Sequence, residues 1–391
     1  MPLDPHEAGA ATLLASLPYL THRRLRRLVA HGRPSDVLSA LVSGDPPPAD
    51  AGGGSSWWTL LAERPRGMDV PLGVLWREAA GGPRPRVDAG IGVLVHGSVD
   101  YPSALADDPE APGVLFVIGE SRVLDAPRVG IIGTRNSTAF GRATATEFGR
   151  ELAEAGVAVV SGLARGIDAA AHRGALESVA SRRGRPVAVV ASGPDVVYPR
   201  ENTDLWRRVT EEGLLVSESP PGTRPDAFRF PLRNRITAAL CDVLLVVESR
   251  LDGGSMITVR EALHRGVTVM AVPGSTATRA AEGTNLLIRD GALVALEPAD
   301  VLIALGLDTV RRTRRGDTRR VPDDVDIGLL GIMGNEPLPL GVVAERAHDR
   351  FGLGLPEVAL GLGRLEATGW VVCTSGWFER VDPFPFDRAS R

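Results

Sequence analysis

Two loops, GTRNSTAFG and GLARG, contain the residues whose types and spacing best suit the binding of an anion. Each loop follows a short apolar strand and opens a helix. Side by side on a parallel sheet, the two loops would bring backbone N–H groups, helix N-termini and guanidinium groups to one sheet edge, a combination that binds phosphate. The sequence therefore predicts an anion site there. Its candidate contact residues are Gly133, Thr134, Arg135, Ser137, Gly162 and Arg165.

Two further segments add groups of the same kind. In ESRLDGGSMIT, Gly253 and Gly254 form a predicted turn after a strand, and Ser255 opens a helix whose N–H groups point outward. In FRFPLRNRITAAL, two phenylalanines alternate with arginines and Asn234 just before a predicted helix. Arg233 and Arg235 there would hold phosphates of a single strand whose bases stack on the rings. Alternatively, Phe230 and Ile236 belong to the core and the arginines pair with acids.

Several common nucleotide and catalytic motifs are missing. The G-x-G-x-x-G fingerprint of dinucleotide-binding folds is incomplete, because Gly141 is the next glycine after Gly133. All 44 basic residues are arginine, so a Walker loop with its lysine is excluded. Asp168 and His172 stand four residues apart at a helix start and could form an acid–base pair. A structural role is favoured, since no nucleophile accompanies them. We expect no catalytic residue, metal or cofactor.

Strands and helices alternate from Val93 to Leu305, which predicts a doubly wound, Rossmann-like parallel sheet of the α/β class. The chain divides into four predicted segments. Residues 1–90 form a helical domain with a Gly/Pro-rich connection, and residues 91–310 the Rossmann-like domain. Residues 311–323 form an Arg-rich linker, and residues 324–391 a winged helix. The predicted strands are Val114–Ile118, Val129–Ile132, Val157–Ser161, Val187–Ala191, Gly213–Ser217, Val243–Val247 and Val267–Val272.

Composition limits the class of protein. The net charge of −4 and 43% hydrophobic residues indicate a globular chain, and no run of 18 apolar residues suggests a membrane span. Two distant cysteines, Cys241 and Cys373, suggest reduced thiols in the cytoplasm. In the predicted winged helix, the helix PEVALGLGRLEA has only Arg364 as a base, against Glu357 and Glu366. A structural or protein-binding role is favoured there over duplex reading.

Nine segments in order resemble the DprA/Smf family of DNA-processing proteins. They are VDYPSALADDPEAPGVLFVIG, GIIGTRNSTAFG, VVSGLARGIDAAAHRGAL, SGPDVVYPRENTDL, GLLVSESPPGT, FPLRNRITAAL, GGSMITVREAL, AVPGS and GTNLLIRDGA, and they cover Val99 to about Leu302. The C-terminal segment is similar to the family's optional winged helix. The N-terminal unit stands where many members have a domain like the sterile alpha motif.

The resemblance implies a function and a set of partners. It implies sequence-independent binding of single-stranded DNA, a homodimer formed through the Rossmann domain, and loading of the recombinase RecA during natural transformation. It assigns DNA binding to Arg135, Arg233 and Arg235, and to Arg200 where members have a basic residue. Leu232 stands where many members have a basic residue, and the insertion SRRGRP adds arginines elsewhere.

Two other functions stay open at this point. The GGSMIT loop resembles, imperfectly, the PGGxGTxxE loop of the lysine-decarboxylase-like nucleotide phosphoribohydrolases. The hydrolase hypothesis depends on Glu261, which fits the catalytic glutamate only with a shift of one residue. A transcription-type regulator would instead need tight duplex binding by residues 324–385.

Overall fold

The computed structural model describes residues 3–17, 20–46, 58, 61, 90–178, 184–307, 322–333, 337–374 and 376–381. Contacts divide the chain into two units, Met1–Thr309 and Val310–Arg391. Two predicted segments fall mostly or partly outside the described residues: the Arg-rich linker 311–323, of which 322 and 323 are described, and the SRRGRP insertion, of which 184–186 are described. Within the Gly/Pro-rich connection of the predicted N-terminal domain, Trp58 and Leu61 are described, and both are buried.

Among the described residues of the first unit, nine strands form one sheet in the order β1-β2-β6-β5-β4-β3-β7-β8-β9. The strands are β1 Gly92–Val95, β2 Val114–Gly119, β3 Arg128–Gly133, β4 Ala158–Ser161, β5 Pro186–Val190, β6 Leu214–Ser217, β7 Val243–Glu248, β8 Thr268–Ala271 and β9 Leu293–Val294. Strands β3 to β9 run parallel, while β2 pairs antiparallel with both β1 and β6. The α/β class is confirmed, with an antiparallel edge that the sequence patterns did not predict.

The chain order of the strands reverses at one place. From β3 the chain moves through β4 and β5 to β6 on one side, and it then returns to place β7, β8 and β9 on the other side of β3. Loops after β3 and β7 therefore diverge to opposite faces, which leaves a crevice between them at the carboxyl ends of the strands. This switch point holds the candidate site described below.

Helices cover both faces of the sheet, because alternate residues of its buried strands point to opposite sides. Val129, Ile131 and Leu245 face one apolar cluster, whereas Ile132, Leu244 and Val246 face another. In chain order the helices of this unit are α1 Pro5–Ser16, α2 His22–His31, α3 Pro34–Ser43, α4 Ser103–Ala106, α5 Ala139–Glu154, α6 Ile167–Glu177, α7 Thr203–Glu212, α8 Arg229–Ala239, α9 Ser255–His264, α10 Glu282–Arg289 and α11 Pro298–Ala304.

The first three helices pack on the antiparallel edge of the sheet. Leu14 and Leu38 share one apolar cluster with Val93 of β1 and Phe116 of β2. The predicted helical character of this segment is confirmed. Because its core includes strand residues, it does not separate from the sheet as an independent unit of contacts. Its likeness to a sterile alpha motif stays a prediction.

The second unit contains α12 Asp324–Met333, β10 Leu338–Pro339, α13 Leu340–Phe351, α14 Leu355–Ala367, β11 Val371–Thr374 and β12 Trp377–Arg380. Its strands form a sheet in the order β10-β12-β11. Leu330, Val343, Leu362 and Trp370 are among the residues of its own apolar core. The unit therefore has three helices followed by a hairpin, with the short strand β10 between the first two helices. The interpretation as a winged helix stays a prediction.

None of the described helices combines the length and the apolar character needed to cross a bilayer.

Candidate functional site

A pocket of about 390 Å³ opens at the switch point, where the loops after β3, β4 and β7 meet the first turns of α8 and α9. We call it the switch-point pocket. Most of the predicted contact residues line it, and these are Gly133, Thr134, Arg135, Gly162, Arg233, Asn234, Gly253, Gly254 and Ser255. The structure thus brings together, from four separate stretches of sequence, the groups that local patterns assigned to one sheet edge.

Glu248, the last residue of β7, holds the loop after β3 in place. The Thr134 N–H donates to the Glu248 carbonyl at 2.8 Å. The Thr138 N–H and hydroxyl donate to the two carboxylate oxygens at 2.9 and 2.5 Å. The same hydroxyl accepts from the Gly141 N–H at 2.9 Å, so Thr138 is also the N-cap of α5. Because Glu248 is buried, these bonds fix the loop from behind and leave its outer side to a ligand.

The loop after β4 packs directly behind the loop after β3. Gly166 has φ 75°, and a Cβ there would collide with the carbonyl oxygen of Thr134, so the contact needs glycine. Leu163 also has a positive φ of 53°, an uncommon conformation for a branched side chain. The buried Asn202 side chain donates to the Leu163 carbonyl at 2.9 Å and supports this conformation.

Helix α8 contributes one face to the pocket. Phe230, Arg233, Asn234 and Thr237 line it, with the spacing of neighbours on one side of a helix. The prediction that this helix begins after the arginines is wrong, because α8 begins at Arg229. Its first turn accommodates Pro231, where a proline costs no intrahelical hydrogen bond.

Arg233 is almost completely buried at the floor of the pocket. Its guanidinium donates to the Val189 carbonyl and packs against Gly162, where a Cβ would collide with it. Its Nε has no hydrogen-bond partner among the described residues. Burial lowers the pKa of Arg233, and the nearby Asp168 carboxylate opposes this shift. A buried cation with unused donor capacity is suited to a bound anion.

Arg235 does not belong to this site, which corrects the prediction made from the RNR segment. Its guanidinium donates to both carboxylate oxygens of Glu218 at 2.6 Å and to the Glu110 carbonyl at 2.8 Å. Residues two apart on a helix point in nearly opposite directions, so α8 turns Arg235 away when it aims Arg233 at the pocket. Arg235 therefore acts as a buried structural cation.

Arg135 lies at the exposed rim. Its guanidinium sits 5.0 Å from the centre of the Phe230 ring, and that ring lies 5.6 Å from the ring of Tyr198. Tyr198 is 40% exposed. The three side chains form a platform with one cation and two rings, a surface on which a base can stack beside a phosphate.

The first turn of α9 completes the pocket opposite α8. The Gly253–Gly254 turn leads into Ser255, whose hydroxyl lies 2.8 Å from the Ser249 hydroxyl. The opening N–H groups of a helix lack intrahelical acceptors and carry partial positive charge, so this end of α9 favours an anion. Arg250, also a lining residue, makes no ion pair with an acid in the described parts of the chain.

Asp168 is the acidic side chain among the lining residues. It accepts from the Gly162 N–H at 3.2 Å, and burial raises its pKa, while the Arg233 charge opposes the shift. His172, one turn further along α6, is fully buried with Nε2 3.3 Å from the Val187 carbonyl. Burial lowers the pKa of His172 to about 4. Asp168 therefore lies in the first turn of α6, where it holds the Gly162 N–H of the loop after β4, and His172 lies in the core. Both positions fit the structural interpretation of the pair.

Three other predicted contact residues lie outside the pocket lining. The Ser137 hydroxyl is buried without a hydrogen-bond partner among the described residues. Arg165 is exposed and pairs with Glu201 at 2.6 Å, next to Arg200, which is exposed as well. Both arginines follow strands β4 and β5 at the carboxyl edge of the sheet.

Glu261, on which the hydrolase hypothesis depends, is also absent from the residues that line the pocket. Its carboxylate pairs with Arg265 at 2.6 Å, near the far end of α9.

Sequence reasoning missed Asn136, Tyr198, Arg250 and Thr258. Asn136 and Arg250 follow β3 and β7 at their carboxyl ends, so the rule that located Arg135 would have located them. No sequence pattern indicated that Tyr198 or Thr258 belongs to the site. Tyr198 takes part through a ring contact across the sheet edge, and Thr258 through the direction of α9.

Comparisons with known proteins identify a family for this chain. The family model of DNA recombination-mediator protein A matches residues 92–306. Protein Smf of Escherichia coli is 37% identical over 289 residues, which cover 72% of this chain and 75% of that protein. DNA processing protein DprA of Bacillus subtilis is 37% identical over 227 residues, which cover 58% of this chain and 75% of that protein.

Two solved structures extend the likeness to the fold. The X-ray structure of DNA processing protein A (DprA) from Streptococcus pneumoniae gives a TM-score of 0.61 at 28% identity, and covers 78% of this chain and 98% of that chain. DNA processing protein A from Helicobacter pylori, described for its single-stranded DNA binding mode, gives a TM-score of 0.50 at 28% identity. The match covers 56% of this chain and 96% of that chain. With its family model matched over more than half of its length, this chain belongs to the DNA recombination-mediator protein A family.

Proposed function

We propose that this chain binds single-stranded DNA at the switch-point pocket largely independently of sequence, protects it, and promotes loading of RecA recombinase in DNA uptake and recombination. The observation that supports the proposal best is the exposed Arg135 beside Phe230, above the buried Arg233. Contacts of guanidinium and backbone N–H groups with phosphates carry no sequence information, which accounts for binding without sequence preference.

The aromatic platform favours a single strand over a duplex. In a duplex the bases are stacked on each other and their faces are not available, whereas an unpaired base can stack on Phe230 or Tyr198. Arg135, Arg233 and Arg250 with the α9 N-terminus supply positive charge beside the rings. The Helicobacter pylori protein is known for a single-stranded DNA binding mode, and its similarity in fold supports the same function here.

Electrophoretic shifts with single- and double-stranded oligonucleotides test the proposal. We expect the wild type to prefer the single strand, and Arg135→Ala to weaken binding to all sequences alike, by roughly tenfold for a stacking and phosphate contact. If about five phosphates are neutralised, log K falls with log salt with a slope near −3.5, about 0.7 per contact. Arg122→Ala is the matched control, because Arg122 is exposed and lines neither the switch-point pocket nor the second pocket described below. A salt titration on oligo-dT without a slope would contradict the proposal.

The proposed function is non-enzymatic. Incubation with nucleoside monophosphates tests the hydrolase alternative, and Glu261→Gln is the discriminating variant. Release of free base by the wild type that disappears in Glu261→Gln would overturn the proposal. We expect no release from either protein, because the Glu261 carboxylate is engaged by Arg265.

The proposal includes a homodimer formed through the Rossmann-like domain. Strand β9 is the outer strand of the sheet, and Leu293 and Val294 on it are half exposed, together with Leu296 and Ile303 nearby. An apolar sheet edge of this kind is a favourable surface for pairing with a second copy.

RecA loading and a cytoplasmic location are the remaining parts of the proposal. Cys241 and Cys373 are both free thiols, as is usual in a reducing compartment. The loading activity is measured as RecA-catalysed strand exchange on a single strand coated with its binding protein. We expect stimulation by the wild type and loss of stimulation with Arg135→Ala.

A further inference from the structure

A second pocket of about 600 Å³ lies between α2 and the loop that precedes β2. We call it the α2 pocket. Helix α2 is strongly two-sided: Leu25, Leu28 and Val29 are buried in the N-terminal core, and arginines occupy much of the remaining surface. Of these, Arg23, Arg26 and Arg27 line the pocket.

The lining of the α2 pocket is rich in bases. Beside the three arginines it includes His22, His96 and His264, whereas Glu110 is the acidic residue among the lining residues that the structure describes. The Glu110 carboxylate is shared, because it lies 2.5 Å from Arg23 and 3.5 Å from Arg265. The positive charge of the α2 pocket is therefore only partly neutralised.

The three arginines differ in their engagement. Arg26 donates to the Pro109 carbonyl, which fixes its guanidinium at the wall of the pocket. Arg23 pairs with Glu110 but keeps 69% of its side chain exposed. Arg27 is exposed and makes no ion pair with an acid in the described part of the chain. Arg27 is thus a cation that is available to a ligand without breaking an existing contact.

Acidic residues near the pocket are already matched by another cation. Arg265 pairs with Asp108 and with Glu261, both at 2.6 Å. Burial, together with the charges of Arg235 and Arg23, lowers the pKa of His22 to about 4. The smaller contributions of Arg235 and Arg23 to this shift are those of cations near the α2 pocket, and Glu110 opposes them.

The α2 pocket is separate from the switch-point pocket. Helix α9 connects them: Ser255 lines the switch-point pocket and His264 lines the α2 pocket. These positions stand at opposite ends of the helix, about 14 Å apart along its axis. Ligand at one pocket therefore does not occupy the other.

We propose that the α2 pocket binds the phosphodiester backbone of a second segment of nucleic acid. Arg23 and Arg27 are one helical turn apart on an exposed face, so their guanidinium groups are arranged in a row. A row of cations matches successive phosphates of a strand, whereas a small phosphorylated molecule would require donors that converge on one point. This surface is additional to the DNA-binding pocket proposed above.

The test compares Arg27→Ala and Arg27→Glu with Arg122→Ala and Arg122→Glu in the full-length chain. Each protein is titrated with a short oligo-dT that can span only one pocket and with a long one that can span both. Because Arg27 makes no ion pair among the described residues, its removal should leave the thermal unfolding temperature unchanged. We expect the Arg27 variants to bind the short oligonucleotide normally and the long one several-fold more weakly, with a salt slope lower by about 0.7. The Arg122 variants should match the wild type.

Other outcomes would overturn the inference. If Arg27→Glu bound the long oligonucleotide with the affinity and salt slope of the wild type, the α2 pocket would not be a second binding site for nucleic acid. The α2 pocket would belong to a small phosphorylated molecule if two results came together. A nucleoside monophosphate would raise the unfolding temperature of the wild type but not of Arg27→Glu, and the effect of Arg27→Glu on DNA binding would not depend on oligonucleotide length. Binding of the short oligonucleotide that does not depend on Arg135 would contradict the proposed function instead, so the two failures are distinguishable.

Discussion

At the scale of single residues, the geometry of the site depends on very close packing. The Arg233 guanidinium occupies the space where a side chain at position 162 would begin. The guanidinium is also held by the Val189 carbonyl, so it cannot retreat without losing a buried hydrogen bond. Glycine at position 162 is therefore a condition for placing a buried cation at the pocket floor.

Gly162→Ala should weaken single-stranded DNA binding by about tenfold, about 1.4 kcal/mol, because the new methyl group displaces Arg233. Gly254→Ala is the matched control on the same pocket. Its φ is −59°, and an added Cβ meets no heavy atom within 4 Å. Fluorescence anisotropy with labelled oligo-dT measures both variants. An affinity of Gly162→Ala equal to that of the wild type would show that Arg233 does not have to keep its position.

At the scale of elements, helices and strand ends decide which side chains meet. Sequence patterns located FPLRNR next to a helix but left its arginines on a loop, where both could face the same ligand. Because the segment is itself helical, Arg233 enters the switch-point pocket and Arg235 pairs with Glu218. The residue types predicted a cationic site, and the helical periodicity of α8 decides which of the two arginines lines it.

The connection between β3 and α5 gives a prediction at the same scale. Thr138→Ala removes the N-cap of α5 and a hydrogen bond to the buried Glu248. The expected loss is about 1–3 kcal/mol in the free energy of unfolding, with weaker DNA binding because the loop after β3 is released. Urea unfolding measures the stability. Thr138→Ser retains the hydroxyl and should stay within about 0.5 kcal/mol of the wild type; an equal loss in both variants would argue against the cap.

At the scale of the whole molecule, the two outer strands of the sheet, β1 and β9, have different surroundings. Helices α1 to α3 pack on one face of the sheet beside the β1 edge, in a shared apolar cluster. The β9 edge keeps half-exposed apolar side chains among the described residues. The proposed homodimer uses the β9 edge, whose exposed apolar side chains a second copy would cover.

Leu296→Glu should convert the proposed dimer to a monomer, because it places a charge on a side chain that is 74% exposed at the β9 edge. Light scattering coupled to size exclusion measures the mass. Val99→Glu is the control, since Val99 is 96% exposed and distant in sequence from that edge. A Leu296→Glu protein that keeps the mass of a dimer would place the interface elsewhere.

The stability of the first unit should fall in acid because of His172. Its folded pKa of about 4 lies below the usual 6.5. The neutral imidazole therefore contributes fully to the free energy of unfolding above pH 6.5, and this contribution is lost as the pH falls towards 4. The maximum loss for such a shift is about 3 kcal/mol.

Urea unfolding at several pH values tests this contribution. His172→Gln should reduce the pH dependence between 6.5 and 4, even if the variant is less stable overall. The part that comes from His22, whose pKa is also lowered to about 4, should remain. His264→Gln removes an exposed imidazole and controls for the substitution. An unchanged slope in His172→Gln would show that another group controls the acid response.

The sequence by itself determined the α/β class, the seven central strands, and the carboxyl edge of the sheet at which the candidate site lies. It could do so because apolar runs, glycine turns and helix starts are local patterns, and parallel strands bring their carboxyl ends together. Only the tertiary structure decided that Arg233 lines the pocket while Arg235 does not, and that Glu248 holds the Thr138 loop. It also showed that the N-terminal helices pack on the sheet. Those facts depend on the direction of each side chain and on contacts between residues far apart in the chain, which no local pattern encodes.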